Sequence, residues 1–414
     1  MKSKYHSIVI GGGALGCASA ISIKRKYGSS KDVLLLEKST LLSGVSSDHS
    51  GIFRAVNNNP LSMLMAKKAA TLWDNLNDIW GFSISKEKNG AIWISPKHEL
   101  SKWENIFSSA KQYGIALSQA DENTVNYLTR NQININDDEL YFFEPDAFQF
   151  KPEDLNIALK TSLRINDVEV MENTNVRKVD IDEMGTVRGV FTDSGYIECS
   201  NLINAAGPWA SKLLENNNIN LPIRMEPVFI CDCEVDRIDD LVSMPMIADY
   251  SNQIYFRSWG KDILHMHQPR SRTEVNINSR FEHQDALSSH VNYQNYTQWP
   301  KLSTYNMMKK YREKSLSRFT NLEEIQLLSG KTRYFDITPD HQYVLGEDST
   351  VKNLYHCIGG GQSIKYAPLF GEMLAEKISN KFCNYNDINL EEYSIERFND
   401  NNRKYTYSII NTGS

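Results

Sequence analysis

The stretch IVIGGGALG, residues 8–16, decides the fold. Ser7-Ile8-Val9-Ile10 is rich in β-branched residues and reads as a strand. Gly11, Gly13 and Gly16 follow in the spacing G-x-G-x-x-G, and Ala14, Ala18 and Ile21 then recur at helical spacing. A second apolar run, Val33-Leu34-Leu35-Leu36, ends at Glu37, 21 positions after Gly16. Strand, glycine turn, helix, strand and terminal acid make a dinucleotide-binding βαβ unit. Gly11 makes the tight turn, Gly13 lets the main chain reach a pyrophosphate, and Gly16 lets helix and strand touch. Ala14 and Leu15 open the helix, whose N-terminus favours an anion. Glu37 accepts hydrogen bonds from an adenosine ribose, and its neighbour Lys38 joins the same cofactor set. The motif alone does not separate FAD from NAD.

Outward from this unit, LLSGVSSDHSGIFRAV (41–56) is a loop of small and polar residues. Leu64, Ala69, Leu72, Leu76 and Ile79 give residues 60–80 an apolar helical face. The texture then changes: Ala91-Ile92-Trp93-Ile94 reads as a strand and 99–113 as an amphipathic helix, in a block outside any Rossmann unit. Regular α/β pattern returns with a helix from Pro152 to Leu163, proline first. Strands are expected at 168–171, 176–181 and 187–192, and a buried strand ends in the turn Asn204-Ala205-Ala206-Gly207-Pro208. A second non-Rossmann block (about 221–325) carries strands near 224–235 and 253–267 and a helix near 302–314. Its Asn/Gln/Tyr-rich run HVNYQNYTQWP (290–300) reads as an ordered surface insertion. The run Leu354–Ile358 leads into GGGQSIKYAP (359–368), a second strand, glycine turn and helix start. The charged residues beyond 384 read as a solvated cover or frayed end.

At 414 residues the chain exceeds one ordinary core, so two domains are expected. Hydrophobic residues at 41% and charged residues at 23% are those of a folded globular protein. A net charge of −6 without a basic stripe argues against nucleic-acid binding. No apolar run is long enough to span a bilayer. The first strand begins by Ser7 and leaves no room for a signal peptide, so the cytoplasm is the expected compartment. Of six scattered cysteines, Cys231 and Cys233 share one strand face and read as reduced thiols. His265 and His267 are spaced likewise, but no third ligand stands at useful spacing, so no metal site is expected.

Four separated stretches agree with one family: IVIGGGALG with LLLEK, GVSSDHSGIFR, LINAAGPWA, and DITPDHQYVLG with CIGGGQSIKYAPLFGEMLAE. In these the chain resembles the FAD-dependent D-amino-acid oxidase superfamily, especially its sarcosine oxidase and glycine oxidase branch. The resemblance implies an α/β (α+β) two-domain fold: a Rossmann-like, glutathione-reductase-like FAD domain and an antiparallel-sheet substrate domain. The FAD domain would comprise 1–82, 146–215 and 328–400, the substrate domain 83–145 and 216–327, and 401–414 a tail. It implies that Ser46 and Ser47, in a loop with His49 and Ser50, approach the phosphates, that Val176 pairs with the adenine, and that Ala206 and Gly207 meet the cofactor. Gly359, Gly360, Gly361, Gln362, Ser363 and Ile364 would lie along the isoalloxazine ring, where turn amides favour negative charge on the reduced flavin. Arg54 and Lys365 match positions that bind the substrate carboxylate, which a guanidinium clasps bidentately. Arg333 is an alternative anchor, and Arg257 a further one.

The sequence also departs from that pattern. The stretch GKTRYFDITPD lacks the cysteine that tethers FAD in monomeric sarcosine oxidases, Arg333 standing roughly there. His49 is one position out of register with a flavin-linked histidine of some relatives, so FAD is expected to be non-covalent. The final-loop histidine is Gln362 here, followed by Ser363, which affects the substrate cavity. The oxygen-activating lysine should fall near Leu264 or His265; Lys261 is out of register, and a protonated His265 could substitute. The expected reaction is oxidation of the C–N bond of an amine, an amino acid or N-alkyl amino acid, by hydride transfer to flavin, giving an imine. Oxygen or another acceptor would take the electrons, with Arg54, Lys365 and His265 as the candidate active-site residues. The alternatives are a 2-hydroxy acid or polyol dehydrogenase on the same fold and a non-catalytic flavin subunit of a complex. Oligomeric state is not legible.

Overall fold

The computed structural model describes residues 2–235, 243–260, 262–267, 301–320, 322, 325–359, 361, 363–379 and 385–398. The run HVNYQNYTQWP, the tail 401–414, Lys261, Gly360 and Gln362 lie outside the described residues. The described residues form two eight-stranded sheets and one two-stranded ribbon.

The first sheet is built on Lys4–Ile10, flanked in parallel by Val33–Leu36 and Gly195–Asn204. Glu169–Met171 and Leu354–Ile358 extend it in parallel on either side. The hairpin Val176–Ile181/Val187–Thr192 and the edge strand Val344–Glu347 join antiparallel. Val33–Leu36 is buried throughout, as a continuous apolar run in a covered parallel sheet should be. The helix Ala14–Tyr27 leaves the carboxyl end of the first strand through the glycine turn. It packs on the helix Ala367–Ser379 so closely that a side chain at Gly371 would sit 2.7 Å from the Ala18 carbonyl oxygen.

The second sheet runs in the order Ile325–Ile337, Arg224–Val235, Ile263–His267, Ile254–Trp259, Met246–Asp249, Ala91–Pro96, Glu139–Glu144, Ser118–Gln119. All its pairings are antiparallel except Met246–Asp249 with Ala91–Pro96. Strand Ile325–Ile337 straddles the boundary expected between 327 and 328. Arg318, from the helix Lys301–Arg318, is fully buried and bonds Asp249 and Glu139 at 2.7 Å each, tying three elements together.

Two readings change. Residues 60–80 form two helices, Pro60–Asp74 and Leu76–Trp80, and the buried stripe is Ser62, Ala66, Ala69, Trp73, Leu76 and Trp80. Leu64, Leu72 and Ile79 flank that stripe and are half-buried, because the steps of 4, 3, 4, 3 and 4 residues follow the helical repeat more closely. Residues 385–398 are not a frayed end: Ile388 and Tyr393 are buried, and Arg397 pairs with Asp340. Among the described residues no helix is long and apolar enough to cross a membrane.

Candidate active site

The carboxyl ends of the first-sheet strands open onto a cavity of about 960 Å³ that reaches the face of the second sheet. At one end lies the glycine turn. Gly11 adopts φ +107°, and a Cβ there would collide with the Ala205 carbonyl oxygen. A Cβ on Gly16 would strike the Gly11 carbonyl, so this glycine packs helix on strand and does not line the cavity. At Gly13 a Cβ would meet only Ser46 Oγ, at 3.3 Å, leaving an open cradle on the cavity side. The backbone N–H of Ala14 donates to Ser46 Oγ at 3.0 Å, beside Leu15. Glu37 accepts from the N–H groups of Gly12 (2.7 Å) and Ser39 (2.9 Å), which fixes its carboxylate at the strand end. Lys38 Nζ lies 3.2 Å from the ring centroid of Trp209, and burial lowers its pKa to about 8. Val176, Ala206 and Gly207 continue this wall.

The far end is built from side chains. Arg54 is 4% exposed, with its guanidinium carbon 4.7 Å above the Trp93 ring and 5.6 Å from that of Tyr255. Its Nη1 has no hydrogen-bond partner among the described residues. Lys365, 5% exposed, donates from Nζ to the Arg54 carbonyl at 3.1 Å, and its own carbonyl accepts from Trp73 Nε1 at 2.6 Å. Burial and then the Arg54 charge press its pKa well below the usual lysine range. Glu144, fully buried, accepts from the N–H groups of Ala55 and Val56 and from Trp93 Nε1. Burial raises its pKa, opposed by those bonds and by Arg54 and Lys365. A guanidinium, a lysine amine and a carboxyl group thus share a buried recess, an arrangement that can receive one further anion beside Arg54.

The second sheet contributes a histidine face. His265 Nδ1 lies 2.6 Å from Asp232 Oδ1, and His267 stacks on Tyr255 with ring centroids 4.8 Å apart. Burial lowers the pKa of both imidazoles; for His265 this outweighs the opposing pull of Asp232. His49, in the loop facing them, accepts from the Gly51 N–H at Nδ1, at 2.8 Å.

Residues 6–377 match the family described as FAD dependent oxidoreductase. The chain belongs to that family. Its glycine turn, open cradle at Gly13 and long cavity fit the dinucleotide cofactor that the family uses. The chain is 24% identical to human mitochondrial sarcosine dehydrogenase over 86% of its length and 37% of that protein. It is 24% identical to the mouse mitochondrial pyruvate dehydrogenase phosphatase regulatory subunit, over 94% of the chain and 43% of that protein. The chain therefore spans about two-fifths of the length of these curated relatives. Among solved structures, L-amino acid deaminase from Proteus vulgaris superposes with a TM-score of 0.77 at 17% identity, covering 96% of this chain and 98% of that one.

Of the site residues expected from sequence, the cavity brings together the glycine turn, Glu37, Lys38, Ser46, His49, Ser50, Arg54 and His265. Gly361, Ser363, Ile364 and Lys365 line it from the second glycine turn. Ser47 does not: its hydroxyl donates to the Gly44 carbonyl and lies 2.7 Å from Asp48. Gly359 is packed under Ser363, and its N–H donates to Asp336 at 2.8 Å. Arg333 is spent on an ion pair with Asp48, and Arg257 donates to the carbonyls of Ser50 and Phe150, so neither lines the cavity. Burial lowers the His265 pKa, which works against the protonated form in which it could stand in for a lysine. Sequence reading missed Glu144, Tyr255, His267 and Asp336. Glu144 carried a signal, as a carboxylate closing the apolar strand Glu139–Glu144.

Proposed function

We propose that the protein oxidises the C–N bond of a primary or secondary amine bearing a carboxylate, an amino acid or N-alkyl amino acid, giving an imine. The observation that carries this reading is Arg54: a buried guanidinium in an aromatic recess of the cavity, with Nη1 unpartnered among the described residues. A carboxylate there would complete the charge-assisted hydrogen bonds that Arg54 lacks. Lys365, beside it, would regain its proton as the anion arrives. In this reading the first sheet carries the cofactor and the second carries the substrate. The FAD, when bound, supplies the acceptor for two electrons and a proton from the substrate carbon. Gly11, Gly13 and Glu37 would hold its diphosphate and ribose end, and the turn at Gly361 and Ser363 its ring end. The chain's own work is to fix the carboxylate, exclude water from the recess and present the substrate carbon in one orientation.

An uncharged His265 where oxygen activation would call for a lysine supports an acceptor other than oxygen. The match to a regulatory subunit supports a second reading, a flavin-binding subunit that does no chemistry of its own. Anaerobic mixing of the flavin-loaded protein with N-methyl and primary amino acids, and with 2-hydroxy acids, separates these readings. Bleaching by amino acids alone supports the proposal, bleaching by hydroxy acids replaces it, and a flavin that nothing reduces leaves the regulatory reading. Oxygen and an artificial acceptor, compared in reoxidation, then sort oxidase from dehydrogenase.

A further inference from the structure

A row of polar side chains crosses the second sheet in register. Ser329 is the cross-strand partner of Asp232, Asp232 of His265, and His265 of Arg257. Ser329 Oγ donates to Asp232 Oδ2 at 2.7 Å, and the other carboxylate oxygen, Oδ1, meets His265 Nδ1 at 2.6 Å. Only His265 of the first three lines the cavity.

An ionised carboxylate can only accept, so the bond to Asp232 places the His265 proton on Nδ1 and leaves Nε2 as a lone-pair acceptor. The same logic gives His49 the opposite form. A backbone N–H can only donate, so His49 Nδ1 is bare and its neutral ring carries the proton on Nε2. His49 is therefore a donor to the cavity and cannot accept a proton there. His267 lacks a carboxylate among the groups acting on it: His265, Arg54 and Arg257 all oppose its protonation.

We propose that Asp232 and Ser329 are positioning residues that hold His265 with its proton on Nδ1, so that Nε2 accepts the proton given up by the substrate's ammonium group. This rests on the amine reading above. The step is a proton transfer alone: the N–H bond of the ammonium breaks, its electron pair stays on the amine nitrogen, and the new N–H bond forms at Nε2. The imidazolium so formed is stabilised by Asp232 at 2.6 Å. The free amine is the form that can lose hydride from its neighbouring carbon. The charged and titratable groups around His265 are Asp232 and Asp48, which favour the imidazolium, and Arg257, His49 and His267, which with burial oppose it. Arg333, which pairs with Asp48, tempers that aspartate's effect.

The test is Asp232→Asn in the full chain. The neutral amide no longer holds a proton on Nδ1 by charge, and with its NH2 turned to the ring it donates there and moves the histidine proton to Nε2. Nitrogen NMR of ¹⁵N-histidine-labelled protein, with His265 assigned through His265→Asn, should show an Nδ1–H imidazole in the wild type and an Nε2–H imidazole in Asp232→Asn. Anaerobic flavin reduction by an N-methyl amino acid should fall 10- to 100-fold at neutral pH in Asp232→Asn. The acid limb of the rate profile should move up in pH toward the substrate amine's own ionisation, because the free amine must then form without Nε2 as acceptor. Ser329→Ala, which removes one hydrogen bond only, should fold normally, keep the Nδ1–H form and lose a few fold in rate. An Nε2–H wild type, or an Asp232→Asn profile like the wild type with amines still bleaching the flavin, overturns the positioning role and spares the amine reading. If no amine reduces the wild-type flavin, the amine reading and the proton transfer both fall, and the NMR form alone decides Asp232.

Discussion

The two sheets serve the cavity by different means. The first meets it with backbone: strand ends, a glycine turn with φ +107° at Gly11, and helix N–H groups. The second meets it with side chains: Tyr255, His265 and His267 project from adjacent strands, over the loop that carries Arg54. A backbone site depends on the absence of side chains at a few neighbouring positions. A side-chain site depends on register between strands far apart in the chain. The first kind tolerates no added atom, and the second tolerates changes of shape but not of charge.

Each substitution below bears on that contrast, from the largest expected effect downward. Arg318→Met leaves Asp249 and Glu139 buried without their cation and should cost about 3–5 kcal/mol in a denaturant melt. It should also remove the acid-sensitive stability that Glu139 supplies. Burial works against that carboxylate, but Arg318 and Tyr141 hold its pKa down to about 2, so its contribution is present above its ordinary range and is lost as pH falls toward 2. Gly11→Ala puts a methyl group against Ala205 at a strained φ; it should cost about 3 kcal/mol and leave the purified protein depleted of flavin. A fully flavin-loaded Gly11→Ala would break the contrast on the first sheet's side. Arg54→Met should raise the dissociation constant of a carboxylate ligand about 100-fold while flavin content stays unchanged. Loss of flavin instead would assign Arg54 to the cofactor. Lys365 should make that same binding tighter as pH falls, because burial lowers its pKa and a carboxylate beside it would raise it, so that binding takes up a proton. Lys365→Met should flatten the dependence, a change of about 10-fold between pH 6 and 9, read by ligand titration.

Much of the first sheet was legible because its signals are local. Ile8–Gly16 carries strand, turn and helix start within nine residues, and Val33–Leu36 forms a strand with the bounds that its apolar run suggests. The hairpins at 176–192 and the helix from Pro152 were legible for the same reason. Residues 60–80 are helical as expected but break into two helices at Asn75, and the face differs because Leu64 and Leu72 are apolar without being central to the stripe.

The second sheet and its chemistry were less so. Its strands were visible one by one, but nothing in the sequence couples Ser329 to Asp232 or Asp232 to His265. Sequence ranked Arg54 above Arg333 and Arg257 as an anchor only through the family resemblance; their surroundings separate them physically. Arg333 is held by Asp48, Arg257 by two carbonyls, and Arg54 faces an aromatic recess. What the sequence by itself determined was the glycine-turn end of the cavity, because glycine spacing acts on its own neighbourhood through steric exclusion. What only the tertiary structure decided was which charges meet and which are already answered. Coulombic and hydrogen-bond partners are chosen by distance in space, and cross-strand pairing sets that distance independently of separation along the chain.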